Sequence, residues 1–119
     1  MAKEILSGAP LATAQGDLKN GDADGAASRA YCAAFHAVTA LFLREDKSFK
    51  THSALERTVH KDLVHTGRWA EELGQQYKYL LNLRATADYG GMQHVSSEDA
   101  IRAIQYANSI VDEVSRSLY

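Results

Sequence analysis

The sequence predicts an all-α domain, an up-and-down bundle of about five helices, and three observations carry that expectation. Apolar residues recur at the 3.6-residue spacing of a helix through every long segment. Proline occurs once, at Pro10, in a chain rich in Ala, Leu, Glu, Gln, Lys and Arg. Those residues lose least on entering a helix. No segment alternates with period two for long enough to form a strand. The 119 residues make one domain, 1–119. A domain of that size buries roughly two thirds of its unfolded surface and needs no disulfide or metal to hold it.

Each helix has readable ends. The first runs from about Pro10, after a break at Ser7 or Gly8, to Lys19, with Leu11 and Leu18 on its apolar side. Asn20-Gly21 stops it. Asp22 or Asp24 caps the second helix, which turns Tyr31, Ala34, Phe35, Val38, Leu41 and Phe42 inward and ends near Arg44. Ser53-Ala-Leu-Glu56 has the spacing of a capping box and opens the third helix, with Leu55, Val59 and Leu63 inward and Thr66-Gly67 at its end. The fourth runs from Trp69 through Leu73, Tyr77, Leu80 and Leu81 to Gly90-Gly91. The fifth starts at Ser96-Ser97, with Glu98 and Asp99 favoured by the helix dipole. Short connections imply antiparallel neighbours. The expected core is Phe35, Leu41, Phe42, Leu55, Leu80, Leu81, Ile104, Val111 and Val114.

A net charge of −2 and a pI near 6.2 exclude a general basic field for holding duplex DNA. Any nucleic-acid contact must be local. Cys32 is the single cysteine, so no internal disulfide forms. No uninterrupted apolar run approaches the ~20 residues that span a bilayer. The opening Met-Ala-Lys-Glu lacks the layout of a signal peptide. A cytoplasmic location without membrane contact is expected.

Few residues suggest chemistry. The histidines are His36, His52, His60, His65 and His94, and no pair has the i, i+4 spacing of a helical metal clamp. No metal and no cofactor is expected. Arg29 and His36 share one face of the second helix, roughly 10 Å apart along its axis. They are candidates for phosphate binding and acid–base catalysis, although helical side chains lean N-terminally and Arg29 reaches away from His36. The alternative is a rim arginine and a histidine resting beside Phe35. Arg84 lies four residues before Asp88 and near the inward stripe of the fourth helix. It reads equally as a partly buried ion pair or as an anion-binding group at a cleft, with Tyr89 beside it. Lys47, Lys50, Thr51, His52 and Ser53 precede the third helix, where free amides suit a phosphate. Capping by Ser53 and two solvated lysines account for them as well.

Three stretches resemble a known family. Ser28-Arg-Ala-Tyr-Cys-Ala-Ala-Phe-His-Ala37, Lys50-Thr-His-Ser53 and Leu83-Arg-Ala-Thr-Ala-Asp-Tyr-Gly90 are similar, in order and separation, to the signatures of short prokaryotic HEPN proteins. Thr66-Gly67 and Glu72-Leu73-Gly74 also match. The resemblance covers nearly the whole chain; Gly8 and Pro10 interrupt what is usually an unbroken first helix. It implies a five-helix bundle, usually dimeric, paired with a minimal nucleotidyltransferase in a toxin–antitoxin or two-subunit system. Many HEPN toxins are metal-independent ribonucleases that use an Arg followed a turn or more later by His. Here Ala85 stands where the family has Asn, and Asp88-Tyr89 where the His would fall.

Three functions follow as expectations. The first is a subunit, non-catalytic by itself, that binds a nucleotide or RNA end through Arg84, Asp88, Tyr89, Lys50, His52 and Ser53 and docks the nucleotidyltransferase. The second is a ribonuclease toxin using Arg29 and His36, or Arg84 in a composite dimer site. The third is a scaffold without a small ligand. A homodimer is expected also because Tyr31, Phe35 and Trp69 offer apolar surface to a second copy.

Overall fold

The computed structural model describes residues 9–89 and 94–118. It contains five helices, and no strand among the described residues. They are α1 (Ala9–Lys19), α2 (Ala23–Arg44), α3 (His52–Thr58), α4 (Glu71–Tyr89) and α5 (Ser97–Leu118). A wider π-helical turn, Val59–Val64, prolongs α3. The expected stops hold: Gly21 and Gly67 both take φ +83°, the left-handed conformation that ends a helix. The expected break at Ser7 or Gly8 and the stop at Gly90-Gly91 lie outside the described residues.

Helix α2 is the axis of the domain and packs on α1, α4 and α5. Seven of its eight alanines, Ala26, Ala27, Ala30, Ala33, Ala34, Ala37 and Ala40, are buried, and their small volume lets three helices pack closely on it. Ser28 near the start of α2 bonds Asp88 at the end of α4, so these two run antiparallel. Asp24 bonds the backbone N–H of Val95 just before α5, and Arg44 Nη1 donates to the Leu118 carbonyl at the other end. Helices α2 and α5 therefore run side by side in one direction. By length and apolarity α2 also meets the requirement for a membrane span, but 61% of that window is buried inside the bundle.

Three expectations need correcting. The α3 cap is Thr51, whose Oγ1 accepts from Ala54 N at 3.0 Å; Ser53 lies exposed inside the first turn. The helix begins one residue before Ser53, which leaves that side chain no free amide to reach. At α2 the choice left between Asp22 and Asp24 falls to Asp22, which accepts from Gly25 N, because Asp24 is turned to Val95 and His94. Helix α4 starts at Glu71; Trp69 precedes it, pinned by its N–H to the Leu63 carbonyl with the ring buried. Of the expected core, Phe35 and Leu81 are only half-buried, while Ile110, Tyr31 and Tyr77 are fully inside. The burial of Tyr31 and Trp69 within one chain removes two of the three side chains thought to be available to a second copy.

Between α2 and α3 the chain doubles back. The Phe49 ring packs edge-on against Phe42 at 5.3 Å, and His52 then arrives beside Tyr31, at mid-height of α2. At its other end the π-turn closes on α4, where a Cβ at Gly74 would stand 2.7 Å from Val64 Cγ2. Glycine at this buried helical position is what brings α3 flush with α4.

Candidate functional site

Three helices contribute to one cluster. Tyr31 from α2, His52 from the start of α3 and Arg84 from α4 meet at the edge of the core. The Tyr31 hydroxyl is 2.6 Å from His52 Nδ1, and Arg84 Nη1 is 3.4 Å from His52 Nε2. The guanidinium also lies over the Tyr31 ring at 5.3 Å, a cation–π contact. Beneath them the Tyr31 and Tyr77 hydroxyls approach to 3.5 Å. Burial raises the pKa of both phenols, so they remain neutral.

Arg84 is held by Asp88. Its Nε is 3.0 Å from Asp88 Oδ2, while Asp88 Oδ1 accepts from the Ser28 hydroxyl at 2.7 Å. Both carboxylate oxygens are thus occupied, and Asp88 ties α4 to α2 while it aims the guanidinium. The Arg84 side chain is 27% exposed. Its Nη2 makes no hydrogen bond among the described residues, which leaves that nitrogen to donate to a ligand.

The chemistry of His52 follows from its neighbours. Phe35 and Tyr31 pack on the ring, at 4.7 and 5.5 Å, and strip part of its hydration; the Arg84 cation adds repulsion. Desolvation first and that charge second lower the His52 pKa below its ordinary 6.5, so the imidazole is neutral near pH 7. A guanidinium can only donate. The Arg84 contact therefore fits the tautomer that has its lone pair on Nε2 and its N–H at Nδ1, facing the Tyr31 oxygen. A neutral imidazole presenting a lone pair beside a fixed cation can accept a proton from something bound to that cation.

This shift has a sign that can be measured. Because the folded state holds His52 below 6.5, the unfolded chain takes up the proton first as pH falls. Stability should decline from about pH 6.5 down to the folded pKa, and this group should contribute no pH dependence above that window. His52→Gln should flatten that decline in a series of thermal melts. Asp24, Glu45 and Asp62 are all lowered from ordinary values of 3.8 to 4.5, by bonds to Val95 and His94, to Arg68 and to Lys47 respectively, and act only at more acid pH. An unchanged slope between pH 6.5 and 5 in the variant would contradict the assignment.

The other expected residues fall out differently. Lys50 and Ser53 are exposed near His52, but the Ala54 amide they might have shared with a phosphate is taken by Thr51. The Tyr89 side chain lies outside the described part of the structure. Arg29 and His36 are not brought together. Arg29 is paired with Asp17 of α1 at 3.2 Å and leans back on the Gly25 carbonyl, while His36 is exposed against Phe35. Among the described residues no group of three or more His, Cys, Asp or Glu is arranged to hold a metal ion. Sequence reasoning missed Tyr31 and Ser28 as site residues, taking Tyr31 for the apolar face of α2 and for surface offered to a second copy. The available signal was their place in the Ser28–Ala37 segment.

Comparison with known proteins adds independent findings. The model of the HEPN domain family matches residues 8–117. The chain is 32% identical over 115 residues to a UPF0332 protein of Thermotoga maritima, covering 97% of this chain and 83% of that protein. It is also 32% identical over 77 residues to a candidate toxin of Methanocaldococcus jannaschii, covering 65% of this chain and 52% of that protein.

Proposed function

This chain belongs to the HEPN domain family, and from that premise we propose that it is a toxin-like HEPN subunit that binds the phosphate of a nucleotide or RNA strand at Arg84 and His52, partnered by a minimal nucleotidyltransferase. One observation carries the reading: a guanidinium whose Nη2 makes no hydrogen bond among the described residues stands beside a neutral imidazole at the surface, and Asp88 and Tyr31 hold both in place. A charge-assisted N–H bond from a guanidinium to a phosphate oxygen is among the strong ones. The overall negative charge confines binding to this local centre. The toxin-like role draws on the archaeal relative, about half of whose length this chain spans. The nucleotidyltransferase partner and the homodimer rest on the family resemblance. A sedimentation mass near 13 kDa at micromolar concentration would exclude a stable dimer.

The same geometry supports a second reading, metal-independent ribonuclease action. The specific observation is the Nε2 lone pair of a neutral His52 beside Arg84. On this reading His52 takes the proton of a ribose 2′-OH, the 2′-oxygen bonds to the adjacent phosphorus, and the 5′-oxygen leaves and is protonated by solvent. Arg84 offsets charge on the phosphate oxygens. The histidine absent from the expected place on α4 is then supplied by α3.

End-labelled single-stranded RNA in excess EDTA separates the readings. Binding without cleavage supports the binding subunit. Cleavage that His52→Ala abolishes supports the ribonuclease. Failure to bind either RNA or a nucleotide overturns both.

A further inference from the structure

Beside the Arg84–His52 centre lies a recess of about 140 Å³ that neither the phosphate reading nor the core accounts for. Phe35, Phe49 and Leu55 form its apolar lining, and Thr39, Ser48, Lys50 and Thr51 line it as well. His52 belongs to both places: it lines the recess and touches Arg84. A group bound in the recess is therefore one side chain away from a group bound at the guanidinium.

We infer that this recess is a subsite for one unpaired nucleobase, attached to the phosphate that Arg84 and His52 hold. The inference rests on the phosphate reading above and adds what the ligand carries next to its phosphate. The volume is well below the several hundred Å³ of sites for whole drug-sized ligands, and suits a single planar ring. Phe35 is half-buried and already stacked on Tyr31, with 6.0 Å between centroids and 18° between planes, so its ring is fixed before any ligand arrives. Aromatic rings are the usual platforms for unpaired bases, because every base has a π-face. The hydroxyls of Thr39 and Ser48 can bond a base edge as donor or acceptor. Lys50 is exposed and can meet the next phosphate along the strand. A base within a duplex is covered on both faces and paired at its edge, so the subsite selects single strands.

The test compares two probes by fluorescence anisotropy: a short single-stranded RNA, and a strand of the same length and charge with abasic sugars. The wild-type chain should bind the abasic strand about ten-fold more weakly, or worse, as the loss of one stacked base implies. Phe35→Leu, which keeps an apolar side chain, should weaken binding of the base-bearing strand by a similar factor and that of the abasic strand distinctly less, the remainder being its contact with His52. Thr39→Phe, which fills the recess from its wall, should do the same and carries the test if Phe35→Leu does not fold. Arg84→Lys should weaken both strands. Equal wild-type affinity for the two strands, or two folded recess variants without effect, overturns the base subsite while the phosphate reading stands. If the wild-type chain binds neither strand, the phosphate reading falls and the subsite with it.

Discussion

Arg84→Lys is expected to lower affinity for single-stranded RNA or a nucleotide by about ten- to a hundred-fold, because hydrogen bonds to charged groups contribute about 1.5–3 kcal/mol. The melting temperature should stay close to that of the wild type. The reason is geometric. Arg84 uses Nε for Asp88 and turns Nη1 toward His52, and its Nη2 makes no hydrogen bond among the described residues. Lysine carries one ammonium at the end of a flexible stem. It can satisfy Asp88 or reach a phosphate, but it cannot do both in a fixed fork. The purely structural account predicts the reverse. If Arg84 serves only to neutralise Asp88, the lysine variant should melt lower and bind normally. Lost binding at an intact melting temperature would sink that account, and normal binding with reduced stability would sink the ligand role. Should neither change, Arg29 and His36 become the better candidates despite their separation.

Leu80→Ala should cost on the order of 2–5 kcal/mol, read as a shift in the denaturation midpoint at unchanged slope. Leu80 is 0% exposed in the middle of α4, so truncation both removes buried methyl groups and leaves a cavity. Against a typical domain stability of about 5–15 kcal/mol, that is a large fraction. Its neighbour is the internal control. Leu81 has the same chemistry on the same helix but is only half-buried at the edge of the core, so Leu81→Ala should cost distinctly less. Equal effects of the two truncations would contradict the packing described for α4.

The Leu80 and Leu81 pair shows how far local pattern reaches. The 3.6-residue period identifies the inward stripe of a helix but not its width, and two adjacent positions differ by 100° around the axis. Which of them is sealed depends on where α2 and α5 lie. Phe35 is a similar case. It falls on the apolar face of α2, yet it is left half-exposed by the loop that doubles back over Phe42 and brings in Phe49. That departure from the expected core creates the recess.

The cap of α3 marks another boundary of what is legible. Ser53-Ala-Leu-Glu56 has the capping-box spacing, but Thr51 two residues earlier is also an acceptable cap. Position alone does not choose between them; the turn that delivers His52 to Tyr31 does. Asp22 and Asp24 pose the same choice at α2, and it is settled by the arrival of Val95 from 71 residues further along the chain.

By itself, the sequence determined five helices, their approximate ends and the family to which the chain belongs. Those properties depend on contacts within a few residues: periodicity, caps, glycine stops and short motifs. Only the tertiary structure decided that Arg84, His52 and Tyr31 form one centre and that Arg29 and His36 do not. His52 is 21 residues from Tyr31 and 32 from Arg84. No local pattern encodes such distances, because they are set by how closely α3 closes on α4 at Gly74 and by which edge of α2 faces both. The tautomer and lowered pKa of His52 arise only once those side chains have removed its water and placed a cation beside it.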